Sequence, residues 1–271
     1  MKSPEEQAED AESMGQLGNA LDLWERVCEE KATPSSLCSL GRIRTKLDLW
    51  RQAEEAFSAA LAIDRNFTIS MECMGLLSLQ RTDTPNEAGL QDAKYWFLKA
   101  IQNAPEARTY NLLAVAHREC GDLVAAKSAL ESAIKLDPNF EEPYFNLANL
   151  EGTTCEHARV LLRKALQLDP SYALAHQSLG VVEHKLNDLP AAEYHYRRAV
   201  ELEPLDVFSH LYLANLLAVK GDEQAAETEF RTAVAVDPEP DASLRFFANF
   251  LDNLGRHSEA TAIRPSDHPN P

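Results

Sequence analysis

The segment AEYHYRRAVELEP at residues 192–204 returns as AETEFRTAVAVDP at residues 226–238, 34 positions later. Self-similarity at a fixed period of this size marks a repeat architecture, in which each unit buries its apolar face only against its neighbours. The shared pattern, Ala-x-x-x-large-x-x-Ala, recurs as Ala53/Phe57/Ala60, Ala93/Phe97/Ala100, Ala126/Leu130/Ala133, Ala158/Leu162/Ala165, Ala192/Tyr196/Ala199 and Ala226/Phe230/Ala233. Ala20, Trp24 and Val27 begin the series, and Ala260 starts a copy that breaks down. The leading alanines are separated by 33, 40, 33, 32, 34, 34 and 34 residues.

A second pattern, large-x-x-Leu-small, precedes each copy, as in Tyr110/Leu113/Ala114, Tyr144/Leu147/Ala148, His176/Leu179/Gly180 and His210/Leu213/Ala214. Spacings of three and four place these side chains on one helical face, so each repeat is predicted to hold two amphipathic helices. Gly121-Asp122 and Gly221-Asp222 mark the turn between them, since glycine readily takes the left-handed conformation that ends a helix. Asp-Pro or Glu-Pro, at Pro138, Pro170, Pro204 and Pro238, stops the second helix.

This helix-turn-helix-stop unit resembles the tetratricopeptide repeat, which shares the period, the helix pair, the small residues and the closing proline. The resemblance covers essentially the whole chain. It implies an all-α fold, a right-handed superhelical solenoid of stacked hairpins, whose first helices line a concave groove that holds a peptide or a segment of another protein. Residues 1–33 are expected to be a degenerate first repeat or cap, with PEEQAEDAESM either a polar cap or frayed. Repeats then run 34–67, 68–106, 107–140, 141–172, 173–206, 207–240 and a truncated 241–263, with 264–271 a flexible tail. Residues 80–92 lengthen one turn and 151–157 shorten another; 82–90 are a candidate contact loop.

Composition narrows the function. Forty-three Asp and Glu against 26 Lys and Arg give −17, so nucleic-acid phosphates and anionic lipid surfaces should be repelled on average. The first residues are acidic and polar, and no stretch approaches the ~18 apolar residues of a membrane span, so a cytoplasmic protein without membrane insertion is expected. The five cysteines are scattered without a CxxC pattern and read as reduced core thiols. His176 and His210 stand where Tyr110 and Tyr144 stand, hence as packing residues. His184 and His195 lack a third ligand, so no metal site and no cofactor is expected. With no nucleophile or phosphate-loop motif, the chain is read as not an enzyme, with no catalytic residues.

The family's pattern puts groove-facing residues at the second, fifth, ninth, twelfth and thirteenth places of each first helix. Carried onto this chain, that selects Arg42, Lys46, Arg108, Asn111, Arg118, Asn149, Gln177, Lys185, Asn215, Arg245 and Asn249 as candidate binding residues. The whole lining has six Lys or Arg against four acids inside an acidic chain. It suggests a protein or peptide partner carrying carboxylates, with Asn149, Asn215 and Asn249 placed to bond an extended backbone. Arg108, Asn111, Arg118, Asn149, Gln177 and Lys185 are expected along one wall, with Arg163 and Lys164 on the outer face. The carboxylate clamp for chaperone tails is not expected, because no Lys-Asn repeat precedes Asn146 and the next repeat offers Leu174 and Ser178. Phe246 and Phe250 form an apolar strip at the carboxyl edge, expected to be covered by a folded-back TAIRPSDHPNP tail or by a homodimer contact. Three readings stay open: a groove-binding scaffold, a homotypic assembly protein using the solenoid edges, or the recruiting arm of a separate enzyme such as a glycosyltransferase.

Overall fold

The computed structural model describes residues 2–80, 87–150 and 152–265; most of the expected contact loop and of the expected tail lie outside them. Among the described residues there are sixteen helices and no strand. They form eight consecutive pairs. In the first compact unit, residues 1–139, these are α1 (Pro4–Ser13) with α2 (Leu17–Lys31), α3 (Pro34–Lys46) with α4 (Trp50–Ile63), α5 (Thr68–Gln80) with α6 (Glu87–Asn103), and α7 (Ala107–Glu119) with α8 (Leu123–Leu136). In the second, residues 140–271, they are α9 (Glu141–Ala148) with α10 (Cys155–Leu168), α11 (Ala173–Lys185) with α12 (Leu189–Leu202), α13 (Val207–Lys220) with α14 (Glu223–Val236), and α15 (Asp241–Asn253) with α16 (His257–Ile263). Within each unit a second helix packs on the next first helix, as α2 does on α3 and α12 on α13. Each unit is thus a stack of helical hairpins.

Local chemistry explains the punctuation. Gly121 and Gly221 take φ of 75° and 83°, while Asp48 and Asn187 occupy the same left-handed corner at 58° and 62°. Asp and Asn tolerate that conformation better than most side chains. Asp122, Asp188 and Asp222 then cap the second helices by accepting from Ala125, Ala191 and Ala225 backbone N–H groups. At the far end, the amide of Asp137 donates to Ala133 O at 2.9 Å, and its carboxylate accepts from Asn139 N at 2.9 Å. Asp169 and Asp237 repeat that arrangement with Ser171 and Glu239. At these three joints the aspartate before the proline therefore closes the helix and opens the next turn.

The core is a ladder of alanines against large side chains. Ala126, Ala133, Ala192, Ala199, Ala226 and Ala233 are fully buried, as are Phe57, Phe97, Leu162, Tyr196 and Phe230. Where the facing first helix carries glycine, contact is direct: a Cβ on Gly41, Gly75 or Gly180 would lie 2.4–2.5 Å from the ring of Phe57, Phe97 or Tyr196. The glycines are there to admit an aromatic ring.

Two departures concern the irregular repeats. The amino-terminal helix is neither frayed nor merely polar: Ser3 and Glu6 form a reciprocal capping box, and Ala8 and Ala11 are buried on the α2 side. The eight-residue α9 is five residues shorter than α7 or α11. It stops because Thr153 Oγ1 bonds Leu147 O at 3.1 Å and Thr154 caps α10 through His157 N. Gly152 and Thr153, at the twelfth and thirteenth places of this repeat, therefore fall in a turn.

Candidate functional site

In the first unit, Arg42, Lys46 and Arg108 come together on the wall of one cavity of about 520 Å³. Its apolar part is made by Trp50, Phe57, Leu76 and Leu77, and among the described residues Asp48 is the one acid in its lining. The cations are not idle. Glu12 of α1 accepts from Arg42 Nη2 at 3.1 Å and from Lys46 Nζ at 2.8 Å. Burial works to raise the Glu12 pKa, but Lys46 and Arg42 outweigh it and hold the carboxyl below its ordinary range. Arg108 is exposed, with its Nε 3.8 Å from the buried Glu72 carboxylate. Glu72 itself is raised by burial, against the hydrogen bond from Thr109 and the charge of Arg108.

In the second unit, Asn149, Gln177 and Lys185 line a separate cavity of about 330 Å³ with Thr153, Ser178 and Tyr212. Lys185 is exposed. Gln177 is committed: its Nε2 donates to Asp206 Oδ2 at 2.7 Å and to Ser209 Oγ at 3.0 Å.

Several candidates stand differently from their expected roles. Asn111 is only 3% exposed and belongs to the interior of the hairpin stack. Asn149 and Asn215 each turn one amide hydrogen back to the carbonyl four residues earlier, Phe145 and Leu211, at 3.0 and 2.8 Å. A helix offers that carbonyl to any short polar side chain on its surface. Asn249 accepts instead from Arg264 at 3.3 Å. Arg118 pairs with its neighbour Glu119 at 2.8 Å. Arg245 is exposed on α15. The apolar strip at the carboxyl edge is halved: Phe250 packs at 5.0 Å from the Phe230 ring and is 5% exposed, leaving Phe246 at 49%. Arg163 is no bystander either. With Arg159 it holds the fully buried Glu183, at 3.0 and 2.7 Å.

The two packing histidines do sit between helices, and their partners were not anticipated. His210 lies 2.7 Å from Glu229 and 3.0 Å from Pro204 O. Its hydrogen bond to Glu229 raises its pKa. His176 makes the matching approach to Pro170 O, at 3.2 Å, but faces His195 at 3.0 Å. Among the described residues no group of three or more His, Cys, Asp or Glu gathers to hold a metal ion. The five cysteines are unpaired thiols, Cys38 buried and the others half-buried.

Residues 107–140, spanning α7 and α8, match the tetratricopeptide repeat family. No curated protein matches the chain by sequence. Among solved structures, a chain of the APC/C hetero-tetramer Cut9-Hcn1 superposes with a TM-score of 0.74 at 17% identity, over 90% of this chain and 48% of that one. The human IFIT1 dimer with PPP-AAAA gives 0.67 at 20% identity, over 95% and 66%. Pseudomonas aeruginosa pilF gives 0.64 at 20% identity, over 74% and 89%. The chain thus spans about half of the matched Cut9-Hcn1 chain, and likeness at these identities extends to the fold alone.

Proposed function

We propose, on the premise that this chain is a tetratricopeptide-repeat protein, that it acts by binding alone, as a scaffold holding a carboxylate-bearing segment of a protein partner. The carrying observation is the Glu12 carboxylate resting on Arg42 and Lys46 at the mouth of the first unit's cavity. These two cations already hold a carboxylate in the geometry a partner's acidic side chain would need. Arg108 adds a third, exposed cation, and Trp50, Leu76 and Leu77 supply apolar surface for a neighbouring anchor. Few convergent charges over an apolar wall suit a short segment with an acidic and an aliphatic or aromatic residue side by side. A net charge of −17 disfavours nucleic acid in the same place. No described helix is long and apolar enough to cross a membrane. The unpaired cysteines suit a reducing, cytoplasmic setting. Homotypic assembly through the carboxyl edge has less support, because Phe246 alone is far from the roughly 1,200 Å² that a stable interface buries.

Peptide selection against the full chain, followed by titration at several salt concentrations, tests this reading. Selected peptides should carry a carboxylate beside an apolar residue and bind more weakly as salt rises. Each sheltered charge-assisted bond contributes about 1.5–3 kcal/mol, and a rim contact under about 1 kcal/mol. Combining Arg42→Ala with Arg108→Ala should therefore weaken binding at least several-fold, and Glu12→Gln should tighten it by releasing Arg42 and Lys46. Lys127→Ala with Lys135→Ala, on exposed sites of α8, should change little. Equal loss in both double variants would place the partner elsewhere.

A further inference from the structure

The repeat register sets two side chains in one slot, 34 residues apart: His195 on α12 and Glu229 on α14. Each faces the histidine at the fourth place of its first helix. In the later repeat the arrangement is complete, because His210 approaches a backbone carbonyl through Nε2 and a carboxylate through Nδ1, and both act only as acceptors there. In the earlier repeat the carboxylate is replaced by an imidazole, and the hydrogen-bond roles follow by elimination. Pro170 O can only accept, so His176 Nε2 donates to it. A neutral His176 must then accept at Nδ1, so His195 Nδ1 donates across the 3.0 Å contact. That leaves the lone pair of His195 on Nε2.

This histidine borders a cavity of about 380 Å³ between α10, α11 and α12. Arg163 enters its lining from α10, and Tyr194 and Arg198 from α12. The charged groups nearby are few. Arg163 shares Glu183 with Arg159, two cations on one buried carboxylate, while Arg198 pairs with the exposed Glu201. Asp169 acts on His176 from the α10–α11 turn, with its carboxylate bonded to Ser171. Among the described residues no carboxylate lines the cavity. The lone pair of His195 is therefore set among two guanidinium groups, a phenol and the amide of Gln167, whose oxygen accepts from Lys164.

From this geometry we propose that the α10–α12 cavity is a binding site for a phosphoryl group carrying one proton. The P–OH donates to His195 Nε2, and the remaining oxygens accept from Arg163, Arg198 and Tyr194. An equivalent form moves the proton onto His195 and leaves the phosphoryl dianionic; one proton is shared in either case. A fully deprotonated oxyanion offers the lone pair nothing. The volume equals roughly a dozen waters at about 30 Å³ each, more than a bare phosphate occupies, so the cavity has room for an organic group attached to it. Burial, then His176 and Arg163, hold the His195 pKa down to about 4, so the imidazole is neutral until the ligand arrives.

The test is a titration of the full chain with inorganic phosphate, a short phosphoserine peptide and sulfate, read by calorimetry and by the imidazole resonances of His176 and His195. Phosphate or the peptide should bind saturably and shift both rings, with sulfate at least tenfold weaker at pH 6. The second phosphoserine ionisation lies near pH 6, so the complex must take up a proton above it, and affinity should fall about tenfold per pH unit between roughly pH 6.5 and 8. His195→Gln and, separately, Arg198→Gln should each weaken binding at least tenfold in a chain with unchanged helix content. Tighter binding of the peptide would mark a phosphorylated side chain as the source; equal or tighter binding of inorganic phosphate would mark the free anion. Absence of saturable shifts with both phosphates, sulfate binding as well as they do, affinity independent of pH, or binding that survives both substitutions would each overturn the proposal.

Discussion

A missing side chain sets the tightest contacts in this molecule. Gly180 lies so close to Tyr196 that a single methyl group would stand 2.5 Å from the ring, and the ring is fully buried with nowhere to retreat. Overpacking of this kind costs about 1–3 kcal/mol. Gly180→Ala should therefore lower the urea midpoint of the second unit, even though alanine favours helix over glycine by up to about 1 kcal/mol. A raised midpoint would show that the ring yields. The small residue in the large-x-x-Leu-small pattern was legible from sequence because the repeat register aligns it copy after copy. Glu183 was not. Its two arginines lie 20 and 24 residues back, and only the stacking of α10 on α11 brings three charges into one buried cluster. Arg163, which sequence places on an outer face, is for that reason unsuitable as a neutral control.

At the scale of the helix, beginnings and ends are set by short-range hydrogen bonds, and these were readable. Gly-Asp and Asp-Pro mark the turns, and α3, α5, α7, α9, α11, α13 and α15 begin at Pro34, Thr68, Ala107, Glu141, Ala173, Val207 and Asp241. Asp222 shows what such a residue contributes: its carboxylate accepts from Ala225 N at 3.2 Å at the start of α14. Asp222→Ala should cost about 1 kcal/mol, while Asp222→Asn should cost little, as judged by chemical denaturation. If asparagine is as damaging as alanine, the cap acts through charge and not through its hydrogen bond. What could not be read was how far the groove positions stay open. Counting along α7 places Asn111 in the groove by register, yet that face turns inward and buries it. Counting along α9 runs past the helix end, because Thr153 and Thr154 terminate it early. Arg42, Lys46 and Arg108 line one cavity. The carboxylate on two of them belongs to α1, which lacks the repeat pattern and gave no hint of the contact.

Across the whole chain, two histidines of successive repeats, one on a first helix and one on a second, give opposite pH dependences. His210 has its pKa raised above 6.5 by Glu229, so its contribution is fully present below pH 6.5 and is lost as pH rises through the folded value. His195 has its pKa lowered to about 4, so its contribution is fully present above pH 6.5 and is lost as pH falls from there through 4. Solvent reaching this half-buried ring screens a shift of that size, leaving stability on the order of 2 kcal/mol. Hydrogen-exchange protection of α11 and α12 should therefore decline between pH 6.5 and 4 in the native chain and decline less in His195→Gln, whereas His210→Gln should flatten the alkaline side for α13 and α14. Parallel profiles for all three proteins would mean that neither ring changes its protonation on folding.

The Asp-Pro joints have an evolutionary consequence. At Asp137, Asp169 and Asp237 the helix is closed, and the next turn opened, by bonds reaching no more than four residues along the chain. A recombination break beside such a joint separates two segments whose terminal hydrogen bonds are already satisfied on their own side. Duplicating or losing one period leaves no orphaned main-chain donor at the scar, and the surviving ladder of alanines and rings still finds a complementary neighbour. Unequal crossing-over, disruptive in most folds, here leaves the main chain intact and changes only which side chains meet across the joint, as Arg159 and Arg163 meet Glu183. The same joints that halt each helix make the gene tolerant of its own copying errors.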